Sequence, residues 1–441
     1  MYLYPHLTHG GFFMEITNLY QHIKGLSGVS TDTRTLSPGM AFFALKGDNY
    51  DANDFIDQAL QAGAALVVTQ NPAFQSHKNC FFTDDTLGTL QAVALEHRKN
   101  LKATIIGITG TNGKTTTKEL LREALSSIGK VQATSGNLNN HIGVPLTLLS
   151  INDDTDFAIV EMGANHPGEI EFLCNIARPD YGLVTNIGKA HLEGFGSFEG
   201  VIKTKSELYQ YIAASGKAVF VNENDPLLRS LTENQPRHLY GTNSLHATVI
   251  ADENPQLRCA WSWQGEPILT QTQLTGSYNL PNLLAAIGVG LFFGANASQI
   301  NEKLCAYRPS NMRSQWIETP HNKMILDAYN ANPSSMKTAI ENFATLQADK
   351  KMLILGDMLE LGSYSDDEHL KILSLVESFA FNSVVLIGPC FAKFQNQFHP
   401  FLFFTDTSEA RKALEKNKAN GFTILLKGSR GIGVDKLKDL F

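Results

Sequence analysis

Cysteine is sparse and unpatterned in this 441-residue chain: Cys80, Cys174, Cys259, Cys305 and Cys390 stand far apart, odd in number and without metal-ligand spacing. That argues against a disulfide framework or a thiolate metal site and predicts reduced thiols, mostly core residues of a cytoplasmic protein. Basic charge is not in excess either. A formal net charge of -7 leaves no electrostatic footprint for nucleic acid or an anionic membrane, so basic residues that matter are expected locally, at phosphate sites. No apolar run is long enough to cross a bilayer, and the start, M-Y-L-Y-P-H-L-T-H-G-G-F-F, lacks the basic region of a signal peptide. Met14 opens the first periodic segment, which predicts a loose extension before it. Short-period repeats, low-complexity tracts and coiled-coil heptads are also missing. What remains, 43% hydrophobic and 18% charged residues, is ordinary for a soluble enzyme of about two to four domains.

The most informative stretch runs from Lys102 to Thr117, K-A-T-I-I-G-I-T-G-T-N-G-K-T-T-T. A β-branched run ends in glycines and gives way to a helical pattern, which is the order strand, phosphate loop, helix. Gly110 and Gly113 permit a tight turn with inward N–H groups across Thr111 and Asn112. Lys114 can reach terminal phosphates, and the hydroxyl of Thr115 or Thr116 can sit on Mg²⁺. A nucleoside triphosphate is the expected ligand. The strict pattern places glycine five residues before Gly113, where this chain has Ile108.

Around that stretch the chain reads as α/β. From Met14 to about Asn100 the pattern mixes short helices and strands and contains S-T-D-T-R (Ser30, Thr31, Asp32, Arg34), a cluster able to grip a sugar or diphosphate, or simply to cap a turn. Residues 101–309 alternate strands and helices, predicting a parallel sheet with its chemistry at the carboxyl ends of the strands. Glu161 ends one such strand and His191 lies just past another. Asn137, Asn139, Asn140 and His141 cluster before an apolar run, and Lys203 and Lys205 sit two apart on a helical pattern, hence on different faces. Asn279 and Asn282 open a further helix, where they can read a purine or phosphate; Asn279 can equally cap it. Residues 310–441 carry strand M-I-L-D, a loop A-Y-N-A-N-P-S-S-M and further strands and helices, a dinucleotide-fold-like pattern without a dinucleotide fingerprint.

Together G-T-N-G-K-T-T-T, E-M-G-A-N-H, T-N-I-G-K-A-H-L-E-G-F-G, N-L-P-N-L-L-A-A, D-A-Y-N-A-N-P-S-S-M, G-D-M-L-E-L-G and L-L-K-G-S-R resemble the Mur ligase family, in order and over nearly the whole chain. The resemblance implies a three-domain fold. It comprises a UDP-sugar-binding domain (1–100), a central ATP-binding domain (101–309) and a C-terminal dinucleotide-fold-like domain (310–441). D-A-Y-N-A-N-P-S-S-M and G-D-M-L-E-L-G are most similar to the branch that joins D-alanyl-D-alanine to UDP-N-acetylmuramoyl-tripeptide in cytoplasmic peptidoglycan precursor synthesis. That implies an ATP- and Mg²⁺-dependent amide ligase working through an acyl phosphate, monomeric and free of nucleic acid and membrane. Other readings are a Mur-type ligase adding a single amino acid and a nucleotide-dependent switch protein.

By the same resemblance, Lys114 and the 110–116 backbone face the β- and γ-phosphates. Thr115 and Glu161 hold one Mg²⁺ and His191 a second. Lys205 matches a lysine that many family members carbamylate. Asn282, Asn330 and Asn332 surround the nucleotide base and ribose, and Arg313 approaches the γ-phosphate. Ser30, Thr31, Asp32 and Arg34 meet the UDP-sugar, and Asn137 and Asn140 the muramoyl-peptide or phosphates. Asp357, Glu360, Ser429 and Arg430 serve the dipeptide. Tyr278, before Asn279, and Asp51-Ala52-Asn53 depart from the commoner family residues.

Overall fold

The computed structural model describes residues 10–215, 217–251, 254–310 and 312–441. By its internal contacts the chain divides into two units, one of Met1–Ile108, Gly129–Ala164 and Glu169–Gly182, the other of Thr109–Ile128, Asn165–Gly168 and Leu183–Phe441.

The first unit opens with a helix, Gly10–Lys24. It begins before Met14, so the expected loose extension does not reach that residue; residues 1–9 lie outside the described ones. A parallel four-stranded sheet follows in the order Val29–Ser30, Ala41–Phe43, Leu66–Thr69, Cys80–Phe82. Phe42, Phe43, Val67 and Val68 are fully buried, as expected of apolar strands covered on both faces. Asp85 starts the helix Thr86–Asn100 by accepting the Gly88 N–H at 2.8 Å. This unit also carries three parallel strands of a six-stranded sheet, in the order Val131–Ala133, Phe157–Glu161 and Thr104–Thr109, the last residue of which belongs to the second unit.

In the second unit the phosphate-loop residues lead into the helix Lys114–Leu125, against which Leu280–Phe292 packs. The strands Val219–Asn222 and Arg237–Tyr240 run parallel to each other. A nine-stranded sheet completes the unit. Its strands Thr248–Val249, Gln256–Trp263, Glu266–Thr275, Gln315–Glu318 and Lys323–Asp327 pair antiparallel in sequence order. From Lys323–Asp327 the order continues in parallel through Thr423–Lys427, Lys351–Gly356, Ser383–Ile387 and Leu402–Phe404. The antiparallel extension was not anticipated; it hangs on one register pair, Leu274 with Gln315, too short a contact to leave a sequence pattern.

Two local expectations change. The loop A-Y-N-A-N-P-S-S-M stops at Asn332, because Asn332 and Ser335 form a capping box and Pro333 opens the helix Pro333–Thr345. Of the five cysteines only Cys174 and Cys259 are buried; the other three are half-buried, so most are not core residues.

Candidate active site

The phosphate loop is held by residues far away in sequence. Gly110 has φ +140°, and a Cβ there would meet Thr185 Oγ1 at 2.1 Å. Gly113 has φ +77°, with Asn282 Oδ1 2.5 Å from the position of a Cβ; only glycine fits either place. Ile108 is fully buried within the strand and pairs with Glu161. The sharp turn therefore falls at Gly110, which is why the glycine of the strict pattern is dispensable. Asn186 clasps Asn112 from both sides. Its Oδ1 accepts the Asn112 N–H at 3.0 Å and its Nδ2 donates to the Asn112 carbonyl at 3.0 Å. Thr185 Oγ1 donates to the same carbonyl at 2.6 Å, and the Asn186 carbonyl accepts the Thr111 N–H at 2.9 Å. Lys114 curls over the loop and donates to the carbonyls of Gly110 (2.7 Å) and Thr111 (3.1 Å). Thr115 and Thr116 are buried on the first helical turn.

Two of the three asparagines assigned to the nucleotide, Asn282 and Asn332, are tied to the same loop and its helix. Asn282 Oδ1 accepts from Thr117 Oγ1 at 3.1 Å, and its Nδ2 donates to Asn279 Oδ1 at 3.0 Å. Asn279 in turn donates to the Thr275 carbonyl at 2.9 Å and does not cap the helix through its side chain. Asn332 donates to Asn112 Oδ1 at 2.8 Å, and Ser334 Oγ accepts the Lys189 N–H at 3.1 Å. Asn330 is exposed, and its carbonyl accepts from Lys427 at 3.3 Å. Tyr278 is half-buried, its hydroxyl lies 2.8 Å from Ser314 Oγ, and desolvation raises its pKa.

His191 adopts a left-handed backbone, φ +49°, just ahead of the short helix Leu192–Phe195, and its Nδ1 pairs with the Glu360 carboxylate. That pairing holds the Glu360 carboxyl below its ordinary range. Lys205 is buried with Nζ 5.4 Å from the Phe195 ring centre, whereas Lys203 is exposed, as their spacing requires. Arg313 lies between two left-handed residues, Met312 and Ser314, and its guanidinium stacks 3.8 Å from the Tyr329 ring centre. Arg430 approaches the same ring at 5.6 Å, and the neighbouring Lys427 pairs with Asp327 at 2.7 Å. Asp357 is fully buried and accepts the N–H groups of Cys390 (2.7 Å) and Phe391 (2.9 Å), so it holds a turn. Ser429 is likewise buried, donating to the Ala331 carbonyl at 3.3 Å and accepting the Leu359 N–H at 2.9 Å.

In the first unit Glu161 is almost fully buried at the carboxyl end of its strand, and its Oε1 accepts from Asn139 Nδ2 at 2.9 Å. Asn140 Oδ1 accepts the N–H groups of Ile142 (3.1 Å) and Gly143 (2.9 Å), starting the helix Gly143–Leu149, while Asn137 is exposed. The Ser30–Arg34 cluster folds on itself. Arg34 Nη2 meets Asp32 at 2.6 Å, Asp32 also accepts the Arg34 N–H at 2.9 Å, and Ser30 Oγ donates to the Asp32 carbonyl at 2.9 Å. Thr31 is half-buried. The Arg34 guanidinium lowers the Asp32 pKa to about 2.

Asn139, Thr185 and Asn186 were not singled out as site residues. All three lie in the asparagine- and threonine-rich stretches after strand patterns, a signal that becomes specific only once their partners in space are known.

Three family models match the chain: the Mur ligase family catalytic domain over residues 25–122, the Mur ligase middle domain over 108–290 and the Mur ligase glutamate ligase domain over 312–430. The UDP-N-acetylmuramoyl-tripeptide--D-alanyl-D-alanine ligase of Bacillus subtilis is 33% identical over 448 residues, covering 96% of this chain and 98% of the relative. A crystal structure of MurF from Acinetobacter baumannii matches with a TM-score of 0.85 at 27% identity, covering 96% of this chain and 98% of that one. MurF ligase from Thermotoga maritima in complex with ADP matches with a TM-score of 0.82 at 25% identity, covering 94% and 96%. A phosphate loop clasped by residues from across the chain, and relatives aligned over nearly all of its length, lead to one conclusion: this chain belongs to the Mur ligase family and has its three-domain α/β fold.

Proposed function

We propose that this enzyme is the ATP-dependent ligase that joins D-alanyl-D-alanine to UDP-N-acetylmuramoyl-tripeptide, a cytoplasmic step of peptidoglycan precursor synthesis. The observation that carries the reading is the bond from Asn332, in D-A-Y-N-A-N-P, to Asn112 of the phosphate loop, on a chain similar end to end to a ligase of that name. In the reaction the γ-phosphoryl group moves from ATP to the terminal carboxylate of the tripeptide, breaking the bond to ADP and leaving an acyl phosphate. The dipeptide amine attacks the acyl carbon and loses a proton, and phosphate departs with the C–O electron pair.

Two anions must approach each other in the first step, so cations are needed around them. Lys114 exchanges its backbone carbonyls for phosphate oxygens, and Arg313, braced on Tyr329, faces the γ-phosphate. The hydroxyl of Thr115, the carboxylate of Glu161 and the imidazole of His191 are each donors of the kind that would hold Mg²⁺, which would supply charge neutralisation on the phosphates. Asn139 orients the Glu161 carboxylate. Lys205, buried beside Phe195, is the carbamylation candidate, read by the mass of the intact chain. Asn282, Asn330 and Asn332 border the nucleotide. Ser30, Thr31, Asp32 and Arg34 hold the UDP-sugar, Asn137 and Asn140 lie toward the peptide, and Ser429 and Arg430 toward the dipeptide. Residues 1–100, 101–309 and 310–441 are the three domains of the enzyme, which acts as a monomer.

The test supplies UDP-N-acetylmuramoyl-tripeptide, ATP and Mg²⁺ with either D-alanyl-D-alanine or single amino acids. Phosphate release and amide product are expected with the dipeptide; release with single amino acids alone overturns the reading.

A further inference from the structure

The geometry points to Glu360 as a positioning residue for His191, fixing the proton on Nδ1 so that Nε2 presents its lone pair. This rests on His191 serving as a metal ligand in the proposed reaction, and it replaces the dipeptide role read for Glu360 from the sequence. His191 Nδ1 is buried and makes no regular hydrogen bond among the described residues; the Glu360 carboxylate is the ion-pair partner that faces it. Among the described residues no hydrogen bond or ion pair engages Nε2. A carboxylate can only accept, so the proton resides on Nδ1, and an imidazole so arranged offers the other nitrogen to a metal.

The loop that delivers Glu360 is anchored along its length. Asp357 N–H donates to the Ile387 carbonyl at 2.9 Å, Met358 N–H to His369 Nε2 at 3.0 Å, and Leu359 N–H to Ser429 Oγ at 2.9 Å. Met358 and Leu361 are buried on either side. Glu360 itself is left-handed, φ +62°, which turns its side chain away from these anchors. Next to it Gly362, φ +54°, packs so closely that a Cβ would lie 3.2 Å from Glu193, and Tyr364 donates to the Gly196 carbonyl at 3.4 Å. The loop thus docks along both ends of the short helix that His191 begins. The nearby Asp357, His369 and Cys390 could look like a metal cluster. His369, however, accepts from Met358 at Nε2 and donates to the Ser365 carbonyl at 2.7 Å from Nδ1, so its ring has no lone pair to give and serves the anchor.

The experiment reads the tautomer directly. In the full chain labelled with ¹⁵N-histidine, long-range ¹H–¹⁵N spectra at about pH 8 are compared with those of His191→Ala to assign His191. Nδ1–H is expected in the wild type and a shift toward Nε2–H in Glu360→Ala, with Glu360→Gln, which keeps an acceptor oxygen, restoring Nδ1–H. Titration with Mn²⁺ in the presence of ADP is expected to weaken about 10-fold in Glu360→Ala, with the dipeptide KM unchanged. An Nε2–H wild type, a tautomer indifferent to Glu360, or a raised dipeptide KM with unaltered Mn²⁺ affinity overturns the assignment. Failure of the wild type to make amide product overturns the proposed function instead, whatever the imidazole spectrum.

Discussion

Residues 30–34 and residues 110–116 are written in a similar vocabulary of hydroxyls and one cation, yet they are held in opposite ways. In the first, Asp32 and Arg34 satisfy each other two residues apart, with the guanidinium side chain 88% exposed. In the second, the partners of the loop and its helix include Thr185, Asn186, Gly188, Asn282 and Asn332, between 73 and 220 residues away. The exposed Asp32–Arg34 pair makes its geometry within the turn itself. The phosphate loop is shaped by the rest of its unit, which orients its dipoles before a ligand arrives and removes the cost of arranging them during reaction.

The contrast can be broken most severely at the cation. Lys114→Ala should lower turnover by about 10³-fold or more while the thermal midpoint moves by less than about 2 °C; retained ligation, measured by phosphate release and product formation, would remove Lys114 from the chemistry. The clasp is tested next. Asn186→Ala leaves the Asn112 N–H and carbonyl with fewer partners, and should destabilise by about 1–3 kcal/mol, read by urea unfolding. The ATP KM should rise about 10-fold. The same variant should leave binding of the UDP-substrate alone unaltered, since nothing in the 30–34 turn depends on Asn186.

The smallest effect is expected from Asp32→Asn. Melting and ATP KM should stay at wild-type values, because a pair this exposed is screened by solvent, while the UDP-substrate KM rises as Arg34 loses its tether. The pH dependence follows the same pair. A carboxyl lowered to about 2 in the folded state contributes above its ordinary range and loses that contribution as pH falls toward 2. The Asp32 carboxyl resonance should therefore titrate near that value, and the pair should not change the UDP-substrate KM between about pH 5 and 8. An ordinary Asp32 titration would show that Arg34 points elsewhere in solution.

Much of the fold was legible because its signals are local. Apolar β-branched runs such as T-I-I-G-I-T and F-A-I-V-E became buried parallel strands, and T-K-E-L-L-R-E-A-L became a helix with one buried face. The site was legible where one residue type has one use, as with Gly113 followed by Lys114. It was not legible where a common side chain acquires its task from a distant neighbour. Asn139 becomes an orienting group only beside Glu161, and Asp357 becomes the holder of a turn only once Cys390 and Phe391 donate to it.

By itself, the order of residues determined the strands, the helices, the turn at Gly110 and the kind of ligand that a glycine-lysine-threonine loop accepts, since each depends on backbone sterics or on neighbours a few positions away. Tertiary structure alone decided which amide clasps Asn112, that Arg313 stacks on Tyr329, and that Glu360 faces His191. Those pairings are set by how strands and loops are brought together in space, and hydrogen bonds and ring contacts act only over a few ångströms, whatever the separation along the chain.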